Sequence, residues 1–127
     1  MRSNNWLIFG VVVVLVTAIF SSCIRQPSVK LEFSVGECDK DPYGKEEGVQ
    51  ETTWLDDTTF EVKAYVIINC AEEIGSGSYE LVNDTIILRY ICPKCEECAK
   101  CLCGYELTYT FTHLEQKEYQ FEIERIL

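Results

Sequence analysis

The sequence predicts an all-β domain, a two-sheet sandwich of about six short antiparallel strands, preceded by an apolar N-terminal segment. Three observations carry this. Runs of alternating apolar and polar residues recur from residue 30 onward. Turn-forming residues separate them, and no convincing helical stripe occurs beyond residue 29. Alternation that is apolar on one side only fits sheets that each bury a single face.

The chain opens MRSNNWLIFGVVVVLVTAIFSSC. Arg2 gives a basic start, Trp6–Phe20 is an uncharged and almost wholly apolar run, and Ser21 and Ser22 are small. That is the layout of a secretory signal. A fifteen-residue helix rises only about 22 Å, short for a bilayer core of roughly 30 Å. Residues 1–22 are therefore read as a signal peptide or membrane anchor helix. Residues 23–29, with Pro27, form a tether, and residues 30–127 form the domain.

Within the domain, KLEFSVGE (30–37) places Leu31, Phe33 and Val35 on one face. The acidic stretch 38–57 contains Pro42, Gly44 and Gly48 and reads as a long loop, with Trp54 and Leu55 expected to tack its end onto the core. TTFEVKAYVIINC (58–70) is the clearest strand, with Phe60, Val62, Ala64, Val66, Ile68 and Cys70 in phase. A short strand at 79–82 turns at Asn83–Asp84 into 85–92, where Ile86, Leu88, Tyr90 and Cys92 share a face. LCGYELTYTFT (102–112) aligns Cys103, Tyr105, Leu107, Tyr109 and Phe111. HLEQK connects it to a return strand, 118–125, with Tyr119, Phe121 and Ile123 inward.

Charge and motifs restrict the function classes. Residues 23–127 carry ten Lys or Arg against twenty-one Asp or Glu. So acidic a surface, without a basic patch, argues against nucleic acid as a partner. The sequence has no GxGxxG, P-loop or GxSxG motif. Asp39, Asp41, Glu46 and Glu47 resemble a calcium loop in composition only, lacking EF-hand spacing. His113 is the single histidine and reads as a turn residue. No catalytic residue and no cofactor are assigned, and the domain is expected to be non-enzymatic.

The chemistry lies in the eight cysteines. Five of them, Cys92, Cys95, Cys98, Cys101 and Cys103, crowd into ICPKCEECAKCLC. Outside the cytoplasm Cys38, Cys70, Cys92, Cys95, Cys98, Cys101 and Cys103 are all disulfide candidates. Their number is odd once Cys23 is set aside, so at least one must be free, intermolecular or metal-bound. Partners cannot be assigned from spacing. The alternative is a zinc or copper site made by Cys92, Cys95, Cys98 and Cys101, two CxxC units, or a thiol-redox role for the same cluster. Two residues between the CxxC units leave little room for one tetrahedral centre. The run also lacks the last spacing and the proline of a ferredoxin cluster.

Phe20-Ser21-Ser22-Cys23 resembles a bacterial lipoprotein processing site, with Phe20 in place of the usual leucine. CLCGYELTYTFTHLEQKEYQFEIE (101–124) is similar to the closing segment of small cysteine-rich envelope lipoproteins of Bacteroidota-like bacteria. These share a Cys-x-Cys, an alternating strand, a leucine, a turn and a tyrosine-led return strand. VIINCAEE (66–73) resembles their cysteine-ended core strand, while the CPKCEEC run is an addition. The resemblance implies an immunoglobulin-like sandwich and a lipid on Cys23. It further implies a place on the cell membrane or outer membrane, facing away from the cytoplasm. Expected partners are the membrane, through the lipid anchor or N-terminal helix, and an envelope protein or surface ligand. It implies no established activity.

Overall fold

The computed structural model describes residues 28–127. The signal or anchor segment, Cys23 and most of the tether lie outside the described residues. Seven strands form two sheets, and no helix occurs among the described residues. They are β1 (Lys30–Val35), β2 (Gly48–Trp54), β3 (Thr59–Asn69), β4 (Gly77–Val82), β5 (Thr85–Ile91), β6 (Leu102–Thr112) and β7 (Gln120–Ile126). One sheet runs β1-β6-β3-β2, the other β4-β5-β7.

The longest alternating stretches occupy the centre of the larger sheet. β3 and β6 pair antiparallel along their whole length, from Thr59↔Thr112 to Asn69↔Leu102. Their inward residues are buried: Phe60, Val62, Ala64, Val66 and Ile68 from β3, and Leu107, Tyr109 and Phe111 from β6. β5, the middle strand of the other sheet, contributes Ile86, Leu88 and Tyr90 to the same core. Contacts between the sheets are specific. Tyr79 meets Phe111 edge-on at 4.9 Å between ring centroids, and Phe60 stacks on Phe121 at 6.0 Å. The Tyr109 hydroxyl donates to the Arg89 carbonyl at 2.8 Å. Burial holds the Tyr109 phenol well above its ordinary pKa, so it stays a neutral donor. The Phe33 ring lies where a Cβ on Gly77 would stand.

Two features depart from the sequence expectation. The first is β2, inside the stretch read as a loop. Its outer side chains are mostly exposed and its register with β3 slips between Val49 and Glu51. An edge strand held by backbone pairing leaves little hydrophobic alternation to detect. Trp54 does reach the core, 4.6 Å from Phe60 between rings, whereas Leu55 is exposed. The second is the pairing of β7. Tyr119, Phe121 and Ile123 pack against the core as expected, but β7 lies parallel to β5, Thr85↔Gln120 through Ile91↔Ile126. β6 and β7 therefore do not form a hairpin. Between them Leu114 is buried, and His113 takes a left-handed φ of 66° in the turn. Asn83 does the same at 55° in the two-residue turn from β4 to β5, a conformation asparagine tolerates.

Candidate functional site

The ends of β3, β5 and β6 bring the cysteines to one end of the domain. The β3–β6 ladder continues past Asn69↔Leu102, where the Cys70 N–H donates to the Cys101 carbonyl at 3.1 Å, and a disulfide joins Cys70 to Cys101. Cys103, buried on the inner face of β6, is bridged to Cys38 just after β1. The two bridges touch, Cys103 Sγ lying 3.4 Å from Cys70 Sγ. The third bridge, Cys95–Cys98, lies within the β5–β6 loop. Cys92 alone among the described residues is unpaired, and it is buried. Its backbone N–H donates to the Ile126 carbonyl at 2.9 Å, one step beyond the β5–β7 ladder. Burial raises the Cys92 thiol's pKa, the condition of an inert structural cysteine.

All seven downstream candidates are thus placed: six as three pairs and Cys92 as a core residue, not a disulfide partner. The alternative metal set is not brought together. Cys95 is bonded to Cys98, Cys101 to Cys70, and Cys92 points into the core. Among the described residues no three Cys, His, Asp or Glu side chains converge as a metal-binding group.

The bridges differ in what they restrain. Cys38–Cys103 closes a 65-residue separation, Cys70–Cys101 one of 31 and Cys95–Cys98 one of 3. Loop-closure entropy scales these at about 4, about 3.5 and under ~2 kcal/mol. The first two are staples of the fold; the third constrains only its own turn.

Polar side chains around the sulfurs hold the cysteine loop in place. The Arg125 Nε donates to the Cys92 carbonyl at 2.8 Å, and its Nη2 reaches Glu72 Oε2 at 2.6 Å. Buried Glu72 also accepts the N–H groups of Asn69 at 2.9 Å and Cys95 at 3.1 Å. Asn69 Nδ2 donates to the Ala99 carbonyl at 2.8 Å, and its Oδ1 accepts the Ala99 N–H at 2.9 Å. These anchors were legible only in part. Arg125 stands in the inward phase of Tyr119, Phe121 and Ile123, and a charge in a core phase calls for a buried partner. Asn69, the last residue of β3, and Glu72, three residues on, give no comparable signal.

The Arg125 guanidinium, aided by the Asn69 and Cys95 N–H groups, holds the Glu72 carboxyl below its ordinary pKa of 4.5. The stability this contributes is complete above that ordinary value and is lost as pH falls through the lower folded one. Arg125→Met is expected to cost about 2 kcal/mol at neutral pH, the usual penalty for a stranded buried charge discounted for the partial exposure of Arg125. Without its partner Glu72 protonates readily. Urea unfolding at a series of pH values should therefore show the gap from wild type widest near pH 7 and narrowing towards pH 4. A gap independent of pH would remove the ion pair from the account.

The acidic loop after β1 is also ordered by specific contacts. The backbones of Asp39 and Gly104 bond reciprocally at 2.8 and 2.9 Å. Tyr65 crosses Gly104, where a Cβ would collide with its ring, and donates to Asp39 Oδ2 at 2.9 Å. Lys45 pairs with the same carboxylate. With Lys45 first, these donors lower the Asp39 pKa to about 2. Glu47 is tied as well, its Oε1 accepting the Ile67 N–H at 2.6 Å. Two of the four acidic side chains singled out by composition are thus committed to internal hydrogen bonds.

Between the β3–β4 loop (71–75) and residues 91–95 an open cleft of about 500 Å³ is lined by Glu72, Ile74, Ile91, Pro93, Lys94 and Cys95, among others. Fold and site together define a disulfide-stapled, two-sheet all-β domain with a cysteine-rich end. No protein-family model, curated protein or solved structure matches the chain.

Proposed function

We propose that this chain is an extracytoplasmic cell-envelope lipoprotein. It would be anchored to the cell membrane or outer membrane through Cys23, and its immunoglobulin-like sandwich serves a structural or binding role without catalysis. The observation that supports this best is the engagement of six of the seven cysteines downstream of Cys23 in three bridges. Such bridges persist in oxidising compartments and are rare in the cytosol. The apolar segment at residues 6–20, followed by Ser-Ser-Cys, supplies the route across a membrane. The partner of such a domain is an envelope protein or surface ligand rather than nucleic acid, given the net charge of −10. Loops on a rigid sandwich are the ordinary place for recognition, and the two candidates are the loop after β1 and the loop before β6.

Intact-mass analysis of chain extracted from membranes tests the proposal. The expected species begins at Cys23, carries acyl mass there, and is six hydrogens lighter than its fully reduced form. Cys23→Ser should abolish the acyl mass and the cleavage and shift the domain's membrane association. Recovery of the unprocessed chain from cytosol with all thiols reduced would overturn the proposal.

A further inference from the structure

We propose that the Cys95–Cys98 bridge is a thiol–disulfide exchange site for a cysteine-bearing, apolar and basic segment of a partner protein, seated in the cleft beside it. This goes beyond the anchoring and binding role and does not depend on where the chain is anchored.

Four observations carry it. Cys98 is exposed and Cys95 half-buried, as are Cys101 and Cys70 of the second bridge, whereas Cys103 of the long bridge is buried within the β6 ladder. The bridge spans three positions of sequence, so opening it frees a turn and leaves both long staples closed. The loop is pinned independently of the bridge: at Cys92 by Arg125, at Cys95 by Glu72 and at Ala99 by Asn69. An opened bridge therefore leaves both sulfurs near their places. Finally, Cys95 lines the open cleft, in which Ile74, Ile91 and Pro93 give apolar contact. Glu73 at the cleft and Glu96 and Glu97 beside the bridge are exposed, against Lys94 at the cleft and Lys100 beyond the bridge. Apolar walls with an acidic rim fit a segment of aliphatic and basic residues.

The chemistry is a two-electron exchange. The partner's thiolate attacks Cys95 Sγ from the cleft, and the Cys95–Cys98 bond breaks with its electron pair going to Cys98 Sγ. Cys98 then takes a proton from water. Its sulfur lies 3.4 Å from the Cys95 carbonyl oxygen, an acceptor for that proton once the thiol forms. A second thiolate of the partner attacks the partner's own sulfur in the mixed disulfide and releases Cys95. The partner dithiol is oxidised to a disulfide, and Cys95 and Cys98 are reduced. A partner with a single thiol stops at the mixed disulfide. Exposed disulfides of this kind are the labile class.

Dithiothreitol serves as the dithiol probe on the full, natively folded chain, followed by alkylation with N-ethylmaleimide and peptide mapping. Cys95 and Cys98 are expected to be labelled together at a concentration at least tenfold below that needed to open Cys38–Cys103 or Cys70–Cys101. The far-UV circular dichroism should stay unchanged and Cys92 unlabelled. Simultaneous loss of the three bridges, or survival of Cys95–Cys98 beyond the others, would overturn the proposal. The cleft is tested with Cys98→Ala and two synthetic peptides, each carrying one pyridyl-disulfide-activated cysteine, one flanked by valine and lysine and one by serine and aspartate. The first should form the mixed disulfide with Cys95 at least fivefold faster, and Ile91→Lys, a change at an exposed position that removes apolar contact and adds a like charge, should reduce that advantage. Equal rates for the two peptides would sink the assignment of the cleft. Absence of acylation at Cys23 would leave these results untouched, so the two proposals fail separately.

Discussion

Replacing Cys38 and Cys103 together by alanine is expected to lower the stability of the domain by about 4 kcal/mol. The bridge closes a 65-residue separation that encloses β2, β3, β4 and β5. Its loss enlarges the unfolded ensemble more than the loss of either other bridge. It also loosens the native state, because Cys38 adjoins Asp39, whose backbone pairs with Gly104 and whose carboxylate is held by Tyr65 and Lys45. In urea the midpoint should fall by roughly 2 M, taking a slope near 2 kcal/mol/M for a domain of this size. The double replacement of Cys95 and Cys98 should cost less than half as much. Equal costs would show that loop length does not govern the contribution of these bridges, and would also weaken the assignment of Cys95–Cys98 as separable from the fold.

The second large effect is expected in the core. Tyr109 is fully buried, packs on Phe33 at 4.9 Å between rings, and donates to the Arg89 carbonyl of the facing sheet. Tyr109→Ala should cost about 3–5 kcal/mol, since the rigid centre of β6 cannot collapse into the space left. Tyr109→Phe keeps the ring and loses one hydrogen bond, worth about 1 kcal/mol. Thermal unfolding separates the two contributions. The phenylalanine variant should melt some 4–8 °C lower, and the alanine variant several times further. If both fell equally, the hydroxyl rather than the ring would be what holds the sheets together at this point.

Much of this architecture is written in the alternation of the strands. β3, β5 and β6 announce themselves because each buries every second residue, from Phe60 to Ile68, Ile86 to Tyr90 and Leu107 to Phe111. β2 is silent for the converse reason: GVQETTW buries little and is held by main-chain pairing at a sheet edge. The parallel partner of β7 is equally silent, because period-two patterning reports which face is covered and not which strand lies alongside. At the cysteine end the sulfurs were visible and their pairing was not. Which cysteines meet depends on β3 and β6 being registered so that Cys70 faces Cys101. The acidic loop was legible as a composition only: neither residue type nor spacing signals that Asp39 and Glu47 are internally bonded.

The parallel placement of β7 has a kinetic corollary. The β4–β5 hairpin can assemble from neighbouring residues, but its other edge waits for a strand that follows thirty-five positions later, after the chain has crossed to build β6 in the opposite sheet. Loop closure over such a distance is slow relative to hairpin formation. Until it happens the β5 ladder presents an open row of donors and acceptors, able to template pairing with a second copy of the chain. Crowded, newly made molecules would then self-associate through Thr85–Ile91, and the arrival of Gln120–Ile126 is the event that ends that vulnerability.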